Sequence, residues 1–134
     1  MRSSVLLAAE GPGFDPWACQ VEALQHGFNG RVVERRQHGV PASLAGVQRF
    51  YWASNHVELA SGAPEEVLLE MLRGFGEAYP HLTTLTNAKI SAQIVVHLLP
   101  SDQWRGVFLS AELVRALAFV GADLDIDIEH DLRD

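Results

Sequence analysis

The sequence predicts an α+β domain, a layer of helices on a mostly antiparallel sheet, and three stretches carry that prediction. In residues 109–129 the apolar period changes abruptly. Leu113, Val114, Leu117, Ala118 and Val120 recur at helical spacing, whereas Leu124, Ile126 and Ile128 alternate with Asp123, Asp125, Asp127 and Glu129. Residues 89–99 alternate as cleanly, with Ile90, Ala92, Ile94, Val96 and Leu98 on one face and Ser91, Gln93, Val95 and His97 on the other. Residues 65–79 set Leu68, Leu72, Phe75 and Tyr79 along one side of a helix, with Val67 and Met71 beside them.

Taken in order, residues 3–9 are apolar at both parities, as a central strand covered on both faces would be. Gly11, Pro12 and Gly13 break it, and Asp15-Pro16 starts a helix: the carboxylate caps free N–H groups, and proline sits where no N–H is needed. Trp17, Val21, Leu24 and Phe28 form the expected inward stripe, and Asn29-Gly30 the expected stop. Residues 31–37 read as a short strand, 39–46 as a loop with Pro41 and Ser43, and 47–54 as an aromatic-rich strand pairing back on 31–37 as a hairpin.

Ser61-Gly62-Ala63-Pro64 introduces the second helix, Gly74 and Gly76 weaken its last turns by ~1 kcal/mol each relative to alanine, and Pro80 ends it. A polar connection over 81–88 leads to the strand 89–99. Residues 100–106, with Trp104, form a turn, and Val107-Phe108 a short extended piece. The last helix is capped by Ser110 and stopped by Gly121, directly before the last strand. The order β-α-β-β-α-β, then α-β, gives a two-layer sandwich of ferredoxin-like type, its antiparallel sheet extended by a C-terminal helix–strand unit. The whole of 1–134 reads as one domain, without internal repeat, low-complexity segment or linker.

Composition narrows the function classes. With 48% hydrophobic residues the chain is not a disordered one. No apolar run approaches the ~20 residues a membrane helix needs, and the short apolar stretch Val5 to Ala9 is read as a strand rather than a signal peptide. A single cysteine, Cys19, excludes an internal disulfide and a cysteine-based zinc site, and a cytoplasmic location is expected by default. The net charge of −7 argues against a nucleic-acid partner and fits either simple solubility or a basic protein partner.

The acidic ladder is the most informative constellation. Same-face side chains on a strand lie about 6.6–7 Å apart, so Asp123, Asp125, Asp127 and Glu129 make a line of negative charge. That line protects a sheet edge from unwanted pairing, forms a docking strip for a basic partner, or, third in order, binds a metal. It is not a calcium loop: Asp123, Asp125 and Asp127 fit the first ligand positions of an EF-hand, but Ile128 stands where the turn glycine is required and Asp134 where the final glutamate is.

The six histidines, His26, His38, His56, His81, His97 and His130, form no metal pair at helical or finger spacing, so no metal and no cofactor are expected. His56 and Glu58 share a side if the strand runs past Ser54, and His97 shares a face with Gln93 and Ser91. Cys19 reads as a small buried hydrophobe without a nucleophile motif around it, and Gly11-Pro12-Gly13 lacks the Lys-Ser/Thr of a phosphate loop. Trp17, Trp52 and Trp104 suit core or rim packing, with Trp52 and Trp104 the candidates for a partner contact if exposed.

Some of these same residues carry a family resemblance. Leu109, Ser110 and Glu112, then Leu117, Ala118 and Gly121, then Asp125, Ile126 and Asp127 resemble the closing signature of the mostly bacterial domain-of-unknown-function family four-two-seven-nine. That signature is a leu-ser-x-glu helix, leu-ala-x-leu-gly, and an alternating aspartate–isoleucine strand. The first strand followed by Phe14-Asp15-Pro16 is similar to the family's leu-asp-pro entry, and the strand around Trp52 fits more loosely. After Gly30 the chain departs, with Arg31-Val32 where the family has a pro-thr pair. The resemblance spans nearly the whole chain and implies a fold, but no catalytic residues.

Two functional expectations follow. The first is a non-catalytic protein-binding domain, concretely a cytoplasmic immunity protein neutralising a cognate toxin, with Asp123, Asp125, Asp127, Glu129, Trp52 and Trp104 at the contact. The second is a small-ligand-binding or enzymatic domain using His97, Gln93 and Ser91 in a pocket between sheet and helices. A homodimer paired through the terminal strand is a third arrangement the pattern permits.

Overall fold

The computed structural model describes residues 1–35, 49–104 and 106–130. Its elements are β1 (Arg2–Glu10), α1 (Pro16–Gln25), β2 (Gly30–Glu34), β3 (Phe50–Ser54), β4 (Val57–Leu59), α2 (Pro64–Ala78), β5 (Lys89–Leu98), α3 (Ala111–Val120) and β6 (Ala122–His130). Two single 3-10 turns, Tyr79–His81 and Thr83–Leu85, join α2 to β5. The strands make one open, mixed sheet in the order β2-β3-β1-β5-β6, with β4 beside β1 at the end that β3 leaves free.

Every described pairing is antiparallel except β5 with β6, which is parallel because α3 carries the chain back across the sheet. The expected hairpin is present: β2 pairs with β3 from Gly30↔Ser54 to Glu34↔Phe50. The predicted loop 39–46, and the outer ends of the two predicted hairpin strands, lie outside the described residues.

Period two in β1 and β5 sends Val5, Leu7, Ala9, Ile90, Ala92, Ile94 and Val96 to one face, where they are buried against Leu68, Leu72 and Phe75 of α2 and Leu113, Leu117 and Val120 of α3. Trp52 of β3 is fully buried in the same core. Ser4 and Leu6 point to the other face and are only half-buried, so β1 is central but not covered alike on its two sides. Among the described residues the buried sides of all three helices join the Val5 face.

Further sequence expectations change. In α1 the buried residues are Pro16, Cys19 and Ala23, while Trp17, Val21 and Leu24 are 53%, 59% and 51% exposed. The reason is the Trp52 indole beneath the helix: small residues meet it, Gln20 accepts its Nε1–H at 2.8 Å, and the bulkier side chains turn outward. The stop of α1 is His26 with Gly27 at φ +76°, not Asn29-Gly30. Gly30 instead opens β2, where a Cβ would stand 2.4 Å from Trp52 Cζ2.

Val107-Phe108 forms no strand, and Phe108 is exposed. The stripe of α3 is narrower than its spacing implied, since Val114 and Ala118 face solvent. The short β4, after a two-residue break at Asn55 and His56, carried too little pattern to be read from sequence.

Candidate binding surface

The α3–β6 unit is built as its residues dictate. Ser110 Oγ accepts the Leu113 N–H at 3.1 Å, and Gly121 closes the helix at φ +65°, a left-handed turn that delivers the chain straight into β6. β6 then runs beside β5 in unbroken register from Ile90↔Ala122 to Leu98↔His130. Its apolar set (Ala122, Leu124, Ile126, Ile128) lies on the helix side opposite Ile90, Ala92, Ile94 and Val96. Its acids lie on the open side, Asp123 beside Ser91, Asp125 beside Gln93, Asp127 beside Val95 and Glu129 beside His97.

All four carboxylates are exposed. Lys89 Nζ approaches Asp123 Oδ2 at 3.7 Å and His97 Nδ1 lies 3.5 Å from Glu129 Oε2, whereas Asp125 and Asp127 have no ion pair among the described residues. Among the described residues the strip thus has a lysine beside one end and an imidazole beside the other. The Asp123 contact is between exposed groups and is worth little by itself.

The register also joins two sets of residues that the sequence kept apart. Ser91, Gln93 and His97 share the open face with the acids, one strand inward. They point away from the helices, so the expected pocket between sheet and helices does not contain them; strand parity decides this. On the same open face, a shallow groove of about 490 Å³ is lined by Arg2, Ser4, Glu58, Leu59, Val95 and His97, among others. His56 Nε2 contacts Glu58 Oε1 at 3.1 Å beside it.

Trp52 is no contact residue: it is 0% exposed, packed among Phe28 and Phe75, with its N–H satisfied inside. Trp104 is half-buried at a separate cavity of about 770 Å³ near Met1, Ala60 and Pro64. Cys19 is fully buried, and burial pushes its thiol up to about 11, which leaves essentially no thiolate near neutrality.

One polar cluster went unread in the sequence. Glu22 accepts the Thr84 N–H at 3.0 Å, the Thr84 hydroxyl at 3.1 Å and the Thr83 hydroxyl at 2.8 Å, tying α1 to the second 3-10 turn. Burial raises its pKa, but these hydrogen bonds, with the charge of His26, outweigh that and hold the carboxyl below its ordinary value. The signal was Cys19 and Glu22 one turn apart on α1, but the threonines they meet are about 60 residues away in sequence. His26 also stacks on His81, with centroids 4.9 Å apart. Among the described residues no group of three or more His, Cys, Asp or Glu is arranged to hold a metal ion, and no helix is long and apolar enough to cross a membrane.

Comparison of the chain with models of known families, with curated proteins and with solved structures finds no match.

Proposed function

We propose that this chain is a non-catalytic protein-binding domain that takes a basic protein partner on the acidic strip of β6, in the manner of a cytoplasmic immunity protein blocking a toxin. The observation that carries this reading is the exposed line of Asp123, Asp125, Asp127 and Glu129, with Asp125 and Asp127 left without an ion pair among the described residues. Such a strip steers a cationic surface toward itself and sets its register on contact. The inert Cys19 fits a role without nucleophilic chemistry. The ferredoxin-like two-layer arrangement belongs to the same proposal. It is supported by the order β2-β3-β1-β5, antiparallel throughout, and by helices joining one face. Kinship with family four-two-seven-nine is supported by the capped α3 helix, Gly121 and the alternating β6 strand, which fall on the residues of the resemblance.

The test is co-expression with the product of the adjacent gene, followed by isolation of a complex. A stable complex that weakens steeply with salt and is lost in Asp125→Lys/Asp127→Lys supports the proposal; a neighbour that neither binds nor is toxic alone overturns it. A second reading, a small ligand seated on the open face, is favoured by the groove that Arg2 and His97 line. A metabolite raising the melting temperature by several degrees, with the rise lost in His97→Ala, would favour it over the first.

A further inference from the structure

Among the described residues β6 is an outer strand of nine residues, bonded on one side, to β5. On its other side the outward half of its N–H and C=O groups meets no strand among the described residues. Outer strands are commonly blunted by proline, by a bulge or by brevity. β6 has none of these: it contains no proline or glycine, and its register with β5 is continuous.

Its two faces differ in a way that specifies an occupant. One face carries the carboxylates. The other carries Ile126 and Ile128, which remain 38% and 42% exposed although they are aligned with the buried Ile94 and Val96. They stand beyond the reach of the helix layer, at the sheet's edge. A strand laid alongside would cover both isoleucines with its own apolar side chains and place its alternate side chains against the acids, at the same spacing of about 6.6–7 Å.

A second copy of β6 does not suit this edge. Any pairing of two β6 strands that sets isoleucine against isoleucine also sets carboxylate against carboxylate, and a shift by one residue puts acids on the apolar side. The complement is a strand of opposite charge.

We infer that the free edge of β6 receives an extended segment of a protein partner, in which Lys or Arg alternates with branched apolar residues, as a further strand of the sheet. This rests on the protein-binding reading above and adds its mode: main-chain hydrogen bonds hold the segment, while the carboxylate and isoleucine rows read its alternate side chains. The acids then serve twice, repelling identical strands and admitting cationic ones.

The probe is a synthetic peptide alternating Lys and Val, as long as β6, titrated into the full chain. Its controls are a peptide of the same composition with Lys and Val in separate blocks, and an alternating peptide N-methylated along one edge. Strand addition expects the alternating peptide to bind at least about tenfold more tightly than either control, with new hydrogen-exchange protection confined to β6 amides. Asp125→Lys/Asp127→Lys should lose that affinity. The milder Asp125→Asn/Asp127→Asn, checked for an unchanged melting temperature, should lose part of it.

If all three peptides bind alike and charge reversal still abolishes binding, strand addition fails while the acidic docking strip stands. If charge reversal changes nothing, both fail. A salt-insensitive homodimer with protected β6 amides at neutral pH would mean that a second copy holds the edge, and would overturn the proposal.

Discussion

Gly30 and Trp52 show how one residue licenses another. The indole fills the space between α1 and the sheet, and the strand beside it comes so close that only a hydrogen fits at position 30: a Cβ would lie 2.4 Å from Trp52 Cζ2 and 2.7 Å from the Ala53 carbonyl oxygen. Gly30→Ala should therefore destabilise the fold by about 1–3 kcal/mol, read as a lower urea midpoint at unchanged m. Glu22 offers a pH test at the same scale. Its folded pKa is depressed, so the stability it contributes is present above its unfolded value, near about 4.3, and is lost as pH falls through the lower folded value. The stability difference between wild type and Glu22→Gln should be constant from neutrality to about pH 5 and shrink below it. Were it unchanged down to acid unfolding, the threonine contacts would not favour the ionised form.

At the scale of elements, α1 and α3 illustrate what a stripe of spacing can and cannot say. Trp17, Val21 and Leu24 are spaced like a buried face, and Trp17 does pack on Phe50 with centroids 4.7 Å apart, yet all three look outward. Val21→Lys should cost no more than about 0.5 kcal/mol, while Ala23→Leu, pushed into the fully buried side, should cost about 1–3 kcal/mol; thermal melts of the pair separate the two orientations. In α3 the signals agree with one another. The Ser110 cap, the Leu113–Leu117–Val120 face and the Gly121 stop were all legible, because each is a local requirement met within a few residues. Ser110→Ala should cost about 1 kcal/mol through the lost cap alone, leaving the β6 register intact by hydrogen exchange.

Over the whole molecule, the asymmetry of the sheet decides where function can reside. Among the described residues one face is closed by three helices, and the other presents Ser91, Gln93, His97 and the acids together. A net charge of −7, gathered partly into that strip, makes any association with a basic partner fall steeply with ionic strength, chiefly through the association rate. A stopped-flow series between about 0.05 and 0.5 M salt checks this; a flat series would assign the contact to apolar surface instead.

By itself the sequence determined the periodicities of β1, β5, β6, α2 and α3, and the Ser110 and Gly121 ends of α3. It also determined that Leu124, Ile126 and Ile128 oppose four acids, since these facts follow from bond geometry over a handful of neighbours. Only the tertiary structure decided the rest. That α1 turns its small residues inward depends on Trp52, more than twenty residues on from the helix; that β6 lies parallel to β5 and outermost depends on where α3 finds room beside α2. That His97 and Gln93 join the acids, away from the helices, depends on pairing across the sheet. Spacing along a chain fixes which side chains share a face; which face is covered is settled by what packs against it.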